Sequence, residues 1–424
     1  MKILLIFFYL LPVLLYGQSN TSWTLQDCID TALINNSKIR IANLNLAISG
    51  VNANSSKFNF LPSVNGNASH GYNFGQTIDP FTNQFATDRV QYNNFYLSSS
   101  LTLFSGLTNH YTKKITGIDQ NISALNLQIE KRNISIDIIG AYLQAKLNEE
   151  IVFLKEKRLT YSKAQTIKAK LRESLNYDTK QKRLQIEAQS SKDAYELVLA
   201  KNDLLKSLNL LQTIVGLAPS SDFNLSDSLV FKGEFSVDEK LANELELEKK
   251  IIESQQLKGQ LSPSLSLNGS LGSGYSENNK FLSPSGDFAP KPFDVQLGEN
   301  FYQSISASLT IPIFNGVNSY SRIKVNQLEY EQVKIQSTEN IRQRENQLLR
   351  YQMDVTNNKE AVLAAEVAYE AYKLLFSEAE IQLENNAISY YGYLEIKDQF
   401  FIAQSELVQS KYRLKFSQLI LHSF

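Results

Sequence analysis

The first part of the chain has hydrophobic residues at helical spacing. After Thr24, which can cap a helix, the apolar positions that share one helical face are Leu25, Cys28, Ile29, Ala32 and Leu33. Pro62 ends this pattern because proline lacks the backbone N–H that a helix requires. The pattern therefore predicts a helix from about residue 24 to about residue 58.

The hydrophobic period changes to two at Ser63. Up to Phe74, apolar residues alternate with serine and asparagine, and a second alternating run covers residues 95–103. We predict a hairpin of two long strands over about residues 62–105, with one apolar face and one face of small polar side chains. Such a sheet fits a boundary between lipid and water, and it fits a soluble β-sandwich equally well.

The segment that follows predicts long helices. No proline occurs between Leu107 and Arg172, and steps of three, four or seven residues separate Ile115, Ile118, Ile122, Leu125, Ile129, Ile136, Ile139 and Leu143. This is the heptad seam of a coiled coil. A helix of about 65 residues would be about 100 Å long, which is too long for a globular domain to bury. After a break at residues 171–181, a second helix is predicted up to Val215.

The order of elements then repeats. "SLTLFSG" at residues 100–106 returns as "SLTIPIFNG" at residues 308–316, and "LPSVNGNASHGY" corresponds to "LSPSLSLNGSLGSGY". We therefore predict a second strand hairpin at about residues 262–315, followed by a helix of about 70 residues. A polar break at residues 383–392 separates that helix from a return helix that continues to Phe424.

The chain is predicted to consist of a leader and one protomer. Residues 1–17 place a lysine before a short apolar run and end in glycine, which is typical of a secretory signal peptide. Residues 18–424 then form a single export-channel protomer of two structural repeats, about 24–216 and about 237–424. The segment of about 217–236 joins the repeats, and we expect it to form a belt at mid-height beside the helices.

The strands limit how the chain can cross a membrane. No run of about 18 uninterrupted apolar residues follows the leader, so a membrane-spanning region must be a closed β-barrel. Four strands cannot close a barrel, for which about eight are the practical minimum. We therefore expect copies of the chain to assemble, and three copies would supply twelve strands and twelve helical columns.

Composition and charge exclude several functions. The formal net charge is −1 and 43% of the residues are hydrophobic, so neither a disordered chain nor a basic nucleic-acid binder is indicated. The single cysteine, Cys28, excludes an intrachain disulfide. His70, His110 and His422 form no metal-ligand pattern, and neither a nucleophile motif nor a phosphate loop occurs. We therefore expect no enzyme activity, no metal site and no cofactor.

Five stretches resemble the TolC-type outer-membrane channels in order, duplication and spacing. They are the opening "TLQDCIDTALINNSKIRIANLNLAIS", the joint "LPSVNGNAS", the paired joints "SLTLFSG" and "SLTIPIFNG", and the closing "LENNAISYYGYLEIKDQFFIAQSELVQSKYRLKF". The resemblance implies a mainly α-helical fold with a membrane β-barrel, in which a trimer forms a 12-stranded barrel and a 12-helix tunnel. It implies a homotrimer in the outer membrane, extending into the periplasm. This channel would give small molecules an exit duct together with a periplasmic adaptor protein and an inner-membrane pump of the RND or ABC type.

The resemblance also implies functional positions. Family members close the periplasmic end with acidic residues just after the second turn, and these positions fall on Glu395 and Gly392 here. We expect the neighbouring Tyr391 and Tyr390 to belong to the same gate and to help hold its closed state by packing and hydrogen bonds. Because Gly392 replaces one acid, a double acidic ring is not expected. The adaptor-contacting turns correspond to Ser174, Leu175, Asn386, Ala387 and Ile388, with Ser174 and Asn386 where glycine is usual. The strand pattern itself predicts that the residues facing outer-membrane lipid include Leu101, Leu103, Leu309 and Ile311.

Two other functions stay open at this point. One is the exit duct of a type I protein-secretion system, and the other is a non-channel periplasmic coiled-coil protein that acts as an adaptor or spacer. The strand hairpins argue against the spacer, because it has no use for four strands with a consistent apolar face.

Overall fold

Long helices make up most of the chain. The computed structural model describes residues 22–79, 81–83, 85–86, 89–220, 222–231, 239–284, 286–385 and 387–423, so the predicted signal peptide lies outside the described residues. Within them the helices are α1 (Leu25–Asn35), α2 (Ser37–Ser56), α3 (Thr108–Ser174), α4 (Lys180–Val215), α5 (Glu239–Gly259), α6 (Phe293–Glu299), α7 (Asn318–Glu384) and α8 (Tyr390–Ser423). A 3₁₀ turn (Lys57–Phe60) follows α2.

The two longest helices have the lengths that the heptad pattern predicts. α3 and α7 each contain 67 residues, and they are followed by the shorter helices α4, with 36 residues, and α8, with 34. No helix within the described residues combines the length and the apolar character needed to span a membrane.

One antiparallel sheet joins the two repeats. Its strands are β1 (Ser63–Asn73), β4 (Val90–Ser105), β5 (Ser264–Ser276) and β8 (Tyr302–Thr310), in the order β1-β4-β5-β8. Two short antiparallel pairs lie in the hairpin connections, β2 (Thr77–Ile78) with β3 (Phe85–Ala86) and β6 (Lys280–Leu282) with β7 (Phe288–Pro290). Because β4 of the first repeat pairs with β5 of the second, β1 and β8 are the edge strands.

The register of the sheet separates polar from apolar side chains as the alternation predicts. Ser98 lies opposite both Asn65 and Ser270, and Ser270 lies opposite Ser304, whose hydroxyl is 2.8 Å from its own. On the other face, Leu97 lies opposite Leu271. None of the four strands contains Asp, Glu, Lys or Arg. The sheet therefore has one apolar face and one face of neutral hydroxyl and amide groups.

Two of the predicted lipid-facing residues lie opposite other leucines. Leu101 is opposite Leu267, and Leu309 is opposite Leu265. Leu103 lies where the register shifts between Thr102 and Phe104, which is the position of a β-bulge, and Ile311 follows the last residue of β8. Leu103, Leu309 and Ile311 are all exposed in the single chain.

The predicted first helix is interrupted at Asn36. The backbone there has ψ of 129°, which is extended, so α1 ends and α2 begins one residue later. The Asn36 side chain stabilises this break because its Oδ1 accepts from the Lys38 N–H at 2.9 Å, and its Nδ2 donates to the Ile214 carbonyl at 2.7 Å. Thr24 caps α1, as predicted, through a 3.1 Å bond from the Asp27 N–H to its Oγ1.

The described residues form two compact units, each built from both repeats. One unit draws on the described residues within 1–42, 127–237 and 342–424, and the other on those within 43–126 and 238–341. In the second unit, the predicted seam residues Ile118 and Ile122 of α3 pack against Ile252 of α5. The buried seam shows why the isoleucine spacing matters for folding.

Part of the predicted belt pairs with the start of the chain. Within the first unit, Trp23 forms a parallel bridge with Leu225, and its N–H donates to the Asn224 carbonyl at 2.8 Å. The Tyr142 hydroxyl of α3 lies 2.9 Å from the Trp23 carbonyl and 2.7 Å from the Ser226 carbonyl. Residue 221 and residues 232–236 of the predicted belt lie outside the described residues.

Candidate gate at the helical turns

The first turn connects α3 to α4 and has a defined backbone. Ser174 is the last residue of α3, and its Oγ donates to the Leu171 carbonyl at 2.7 Å. Asn176 has φ of +59°, so it is the left-handed residue of this turn, whereas the resemblance places the usual glycine at Ser174. Leu175 is 56% exposed and Tyr177 is 73% exposed, so both large side chains face solvent in the single chain.

Ion pairs brace the first turn. The buried carboxylate of Asp178 accepts from Arg172 Nε and from Lys182 Nζ, each at 2.9 Å. Burial alone raises the pKa of this carboxyl, but hydrogen bonds from Lys182 and Arg172 outweigh burial, so the pKa of Asp178 lies below its ordinary value. Asp178 therefore binds one basic residue in the last turn of α3 and another in the first turn of α4, and so connects the two helices.

The second turn connects α7 to α8. Asn386 lies outside the described residues, whereas Ala387 is exposed and donates its N–H to the Gln382 carbonyl at 2.8 Å. Ile388 is half-buried, and its side chain would lie 3.2 Å from a Cβ atom added at Gly392. The small residue at position 392 therefore leaves space for Ile388 beside α8.

The predicted gate residues occupy different environments on α8. Glu395 is exposed, Tyr391 is 79% exposed, and Tyr390 is half-buried, so that burial raises the pKa of its phenol. Tyr393 and Lys397 are four residues apart and both buried, which places them together on one helix face. Glu395, two residues from each, lies on the opposite face of α8.

A buried ionic network, which the sequence analysis missed, attaches α8 to α3 and α4. Lys397 Nζ donates to Ser162 Oγ at 3.0 Å and lies 3.4 Å from Asp193 Oδ2. Arg158 pairs with Asp193 at 2.9 Å through Nε and with Asp398 at 2.6 Å through Nη2. The side chains of Lys397, Asp193 and Arg158 are 3%, 0% and 6% exposed. Burial lowers the pKa of Lys397, and the charge of Asp193 acts in the opposite direction.

A tyrosine pair extends this attachment to α7. The Tyr161 hydroxyl of α3 contacts the Tyr393 hydroxyl and lies 2.5 Å from Glu380 Oε1. Burial and the bond to Glu380 raise the pKa of Tyr161 to about 12, and burial also raises the pKa of Tyr393, so both phenols stay protonated at neutral pH. Closer to the turns, Lys168 Nζ lies 2.7 Å from Glu384 Oε1. The buried network and the tyrosine pair thus hold α7 and α8 against α3 and α4.

Part of the network has a local signal in the sequence. Arg158 and Ser162 are four residues apart, as are Tyr393 and Lys397, so each pair forms a polar patch on one helix face. The acid that joins the patches, Asp193, is 31 residues from Ser162 and 204 residues from Lys397. Asp193 can be assigned to the network only when it is known that α8 packs against α3 and α4. Within the described residues, no group of three or more His, Cys, Asp or Glu side chains is arranged to hold a metal ion.

Solved structures with a similar fold are outer-membrane channels. No protein-family profile and no curated protein sequence matches the chain. The Campylobacter jejuni CmeC outer membrane channel has a TM-score of 0.79 and 16% identity over 94% of this chain and 84% of its own. The outer membrane protein VceC of Vibrio cholerae has a TM-score of 0.75 and 15% identity over 94% of both chains. The open state of the Neisseria gonorrhoeae MtrE outer membrane channel has a TM-score of 0.73 and 16% identity over 94% and 88%.

These comparisons confirm the predicted fold class. At 15–16% identity, what the matches establish is the fold, namely long helices joined to a sheet over nearly the whole chain. The resemblance to TolC-type channels is confirmed at this level, because the matched structures are channels of that type.

Proposed function

We propose that the chain is one protomer of a trimeric outer-membrane channel, which gives small molecules an exit duct from the periplasm. The observation that carries this proposal is an open-edged sheet, apolar on one face and hydroxyl-rich on the other, joined to helices of 67 residues. The similar solved structures are outer-membrane channels. In this function the chain works with a periplasmic adaptor and an inner-membrane pump, and it is not an enzyme.

The sheet supports a trimer. The strands alternate in direction, so β8 of one copy would run antiparallel to β1 of the next copy. Three copies would bring twelve strands together and leave no unpaired edge, whereas one copy exposes two edges. In this arrangement the apolar face contacts lipid and the hydroxyl-rich face lines the lumen.

Exposed helix faces also support assembly with further copies. On α2, four apolar residues at steps of three and four are exposed in the single chain: Ile41, Leu44, Ile48 and Val51. On α7, steps of seven or fourteen separate the exposed residues Leu328, Ile335, Leu349 and Leu363. Heptad seams of this kind pack against another helix. A second copy of the chain is the partner that the proposed trimer supplies.

The second turn is the proposed gate. The buried network holds α8 against α3 and α4, so the turn before α8 is fixed in one arrangement until those contacts separate. We assign Glu395, on the exposed face of α8, to the lining of the constriction, with Tyr390 and Tyr391 beside it. Three copies of Glu395 in a narrow passage favour cations, and Gly392 supplies no second ring of charge.

The channel proposal is tested on the purified protein. We expect a trimer extracted by detergent from the outer-membrane fraction, pores in planar bilayers, and accumulation of exported dyes in cells that lack the protein. A monodisperse monomer, or protein found only in the soluble periplasmic fraction, contradicts the proposal.

The gate assignment has a separate test. Glu395→Gln should reduce the cation preference in planar bilayers because it removes the ring of charge, and the trimer should stay intact. Glu378→Gln is the matched control, since Glu378 is an exposed acid of the same region that we assign to solvent. If the two variants have the same selectivity as the unchanged protein, the gate assignment is wrong while the channel proposal stands.

A further inference from the structure

The hydroxyl-rich face of the sheet becomes aromatic at the end that lies away from the adjoining helices. Near the middle of the sheet, one row across the four strands contains only serine and asparagine side chains. In the next row away from the helices, Tyr96 and Tyr302 lie on either side of Gly272. Tyr96 is 36% exposed and Tyr302 is 46% exposed, so both rings are accessible in the single chain.

Glycines in this part of the sheet allow the rings to lie against the backbone. A Cβ atom added at Gly272 would be 2.5 Å from both Cε1 and Cζ of Tyr302. A Cβ atom added at Gly71 would be 2.7 Å from the hydroxyl oxygen of Tyr92, which lies opposite it on β4. Side chains in a strand usually stand roughly perpendicular to the sheet. These two rings instead occupy the space of absent side chains, so they cover the backbone and face the space in front of the sheet.

The connection between β1 and β4 adds a third ring and an acid to the same face. The Phe81 ring occupies the place that a side chain at Gly274 would need. Asp79 is 1% exposed, and its Oδ2 accepts a hydrogen bond from the hydroxyl of Ser276. Its Oδ1 accepts from the Phe81 N–H at 2.9 Å and from the Thr82 N–H at 3.1 Å. The carboxylate of Asp79 therefore fixes the Phe81 ring against β5.

The charge on this face favours a cation as its ligand. The four strands contain no charged residue, and the described hydrogen-bond partners of Asp79 are all neutral groups. The faces of aromatic rings also attract cations, because they carry negative partial charge. An anion would meet no basic side chain on these strands. A ligand with a flat aromatic ring would in addition stack on the tyrosines.

We propose that Tyr96, Tyr302 and Phe81 form a binding site for small organic cations that carry a flat aromatic ring. Gly272 is a positioning residue, because it leaves the space in which the Tyr302 ring lies. The inference rests on the proposed channel function, in which this face lines the lumen, and it names a class of cargo that the wall of the lumen binds. The site is separate from the gate, which lies at the helical turns.

The test measures dissociation constants by titration calorimetry on the detergent-solubilised protein. The probe is N-methylquinolinium, a flat aromatic cation. Quinoline, which is neutral at about pH 7.5, has the same ring system without the charge, and tetramethylammonium has the charge without a ring. We expect N-methylquinolinium to bind about tenfold more tightly than either of the other two compounds, because only it combines charge with stacking.

Three variants of the site should weaken the binding of N-methylquinolinium. Tyr302→Leu and Tyr96→Leu each remove one ring, and each should raise the dissociation constant about fivefold. Gly272→Ala keeps both tyrosines but should have an effect in the same direction, because the added methyl group displaces the Tyr302 ring. Tyr96 lies on the inner strand β4, so its variant keeps the test valid if Tyr302→Leu on the edge strand β8 prevents assembly.

Matched controls change residues outside the site. Tyr72→Leu and Gly269→Ala alter the apolar face of the sheet and should leave binding unchanged. A Cβ atom at Gly269 would approach only the Ser304 carbonyl, at 3.9 Å, so this glycine accepts alanine without displacing a ring. Glu395→Gln should also leave binding unchanged, because it removes the charge that we assign to the gate.

The outcomes that contradict the inference differ from those that contradict the channel. Equal affinity for N-methylquinolinium and quinoline, or unchanged affinity in Tyr96→Leu, overturns the inference. Loss of binding in Glu395→Gln also overturns it, because the cation would then be bound at the gate. If the unchanged protein forms pores in bilayers but does not bind the probe, only this inference is wrong. If the unchanged protein forms no pores, the proposed function itself is contradicted.

Discussion

Polar side chains near the helical turns and polar side chains in the sheet have different kinds of bonding partners. Near the turns, Lys397, Asp193 and Arg158 are charged, almost fully buried and bonded to one another. In the sheet, neutral groups pair across strands, as in the 2.9 Å bond from Ser100 Oγ to Asn268 Oδ1, and the four strands contain no charged residue. The two regions therefore respond very differently when one partner is removed.

The difference matches what each region would do in the proposed channel. Removing one partner of a buried ion pair leaves a charge without compensation, which costs about 3–5 kcal/mol. A neutral cross-strand pair contributes only about 0.2–1 kcal/mol, so its loss changes little. A gate needs a closed arrangement that is either complete or broken, and in the proposed channel the charged network would supply it. The wall of a lumen needs no second arrangement, and neutral pairs suffice.

Loss of the central acid should have the largest effect. Asp193→Ala leaves Lys397 and Arg158 as neighbouring buried cations, so we expect the free energy of unfolding to fall by about 3–5 kcal/mol. In bilayers the same variant should spend more time open. Chemical denaturation and conductance recordings measure the two effects. Asp203→Ala, at an exposed acid of the same helix, is the control, and equal behaviour of both variants would show that the network does not hold the gate.

Arginine on the apolar face of the sheet should have the next largest effect. Leu309→Arg places a charge on the proposed lipid face and should reduce stability by about 2–4 kcal/mol if the residue lies near the bilayer midplane. Ser308→Arg changes the neighbouring residue on the hydroxyl-rich face and should leave assembly intact. The temperature at which each variant trimer dissociates, measured on gels, compares the two substitutions. Similar tolerance at both positions contradicts the proposed register or the membrane location.

Acid should weaken the first turn through Asp178. Its pKa is lowered in the folded protein, so the stabilisation is present above the ordinary value of 3.8 and is lost as pH falls through the folded-state value. Asp178→Asn should therefore destabilise the turn by about 1–3 kcal/mol at pH 5 and have less effect as pH decreases. Pepsin cleavage near Leu175 and Tyr177, measured for both proteins at each pH, tests this. A ratio of cleavage rates that does not change with pH excludes the ion pairs as the cause.

We expect the smallest effect from the neutral side-chain pairs that cross the strands of the sheet. Ser270→Ala removes the hydroxyl that lies 2.8 Å from the hydroxyl of Ser304, and it should cost no more than about 1 kcal/mol. The trimer should dissociate at nearly the same temperature as the unchanged protein. If Ser270→Ala lowered the free energy of unfolding as much as Asp193→Ala, the two regions would not differ in their response to the loss of a partner.

The long elements were predictable from sequence because local rules determine them. The seam of α3 repeats over many turns, and Gly106 before it has φ of +60° with no room for a side chain against the Gly259 carbonyl. The break at Asn36 was not predictable, because it depends on a bond to Ile214, which is 178 residues away. The shift of register between Thr102 and Phe104 likewise depends on the neighbouring strand.

The contacts of the candidate gate were harder to predict from the sequence than the long helices and strands. The resemblance directed attention to Glu395, whereas the contacts that fix α8 involve Tyr393 and Lys397 on the opposite face. Charged residues in a helical segment are usually solvated, so Lys397 and Asp193 carry no sign of burial in their own surroundings. Their roles depend on the packing of α8 against α3 and α4, since 204 residues separate Lys397 from Asp193.

The two unpaired edges of the sheet have a consequence for how the protein is made. A single copy presents the backbone groups of β1 and β8 without partners, and in the proposed trimer only other copies provide them. Completion of the fold then depends on concentration, because each copy is a ligand for the others. Chains that are dilute, or that arrive slowly, would more often form incorrect strand pairs at the edges β1 and β8. If the proposed trimer is correct, biogenesis has to bring three chains together before lipid closes around any one of them.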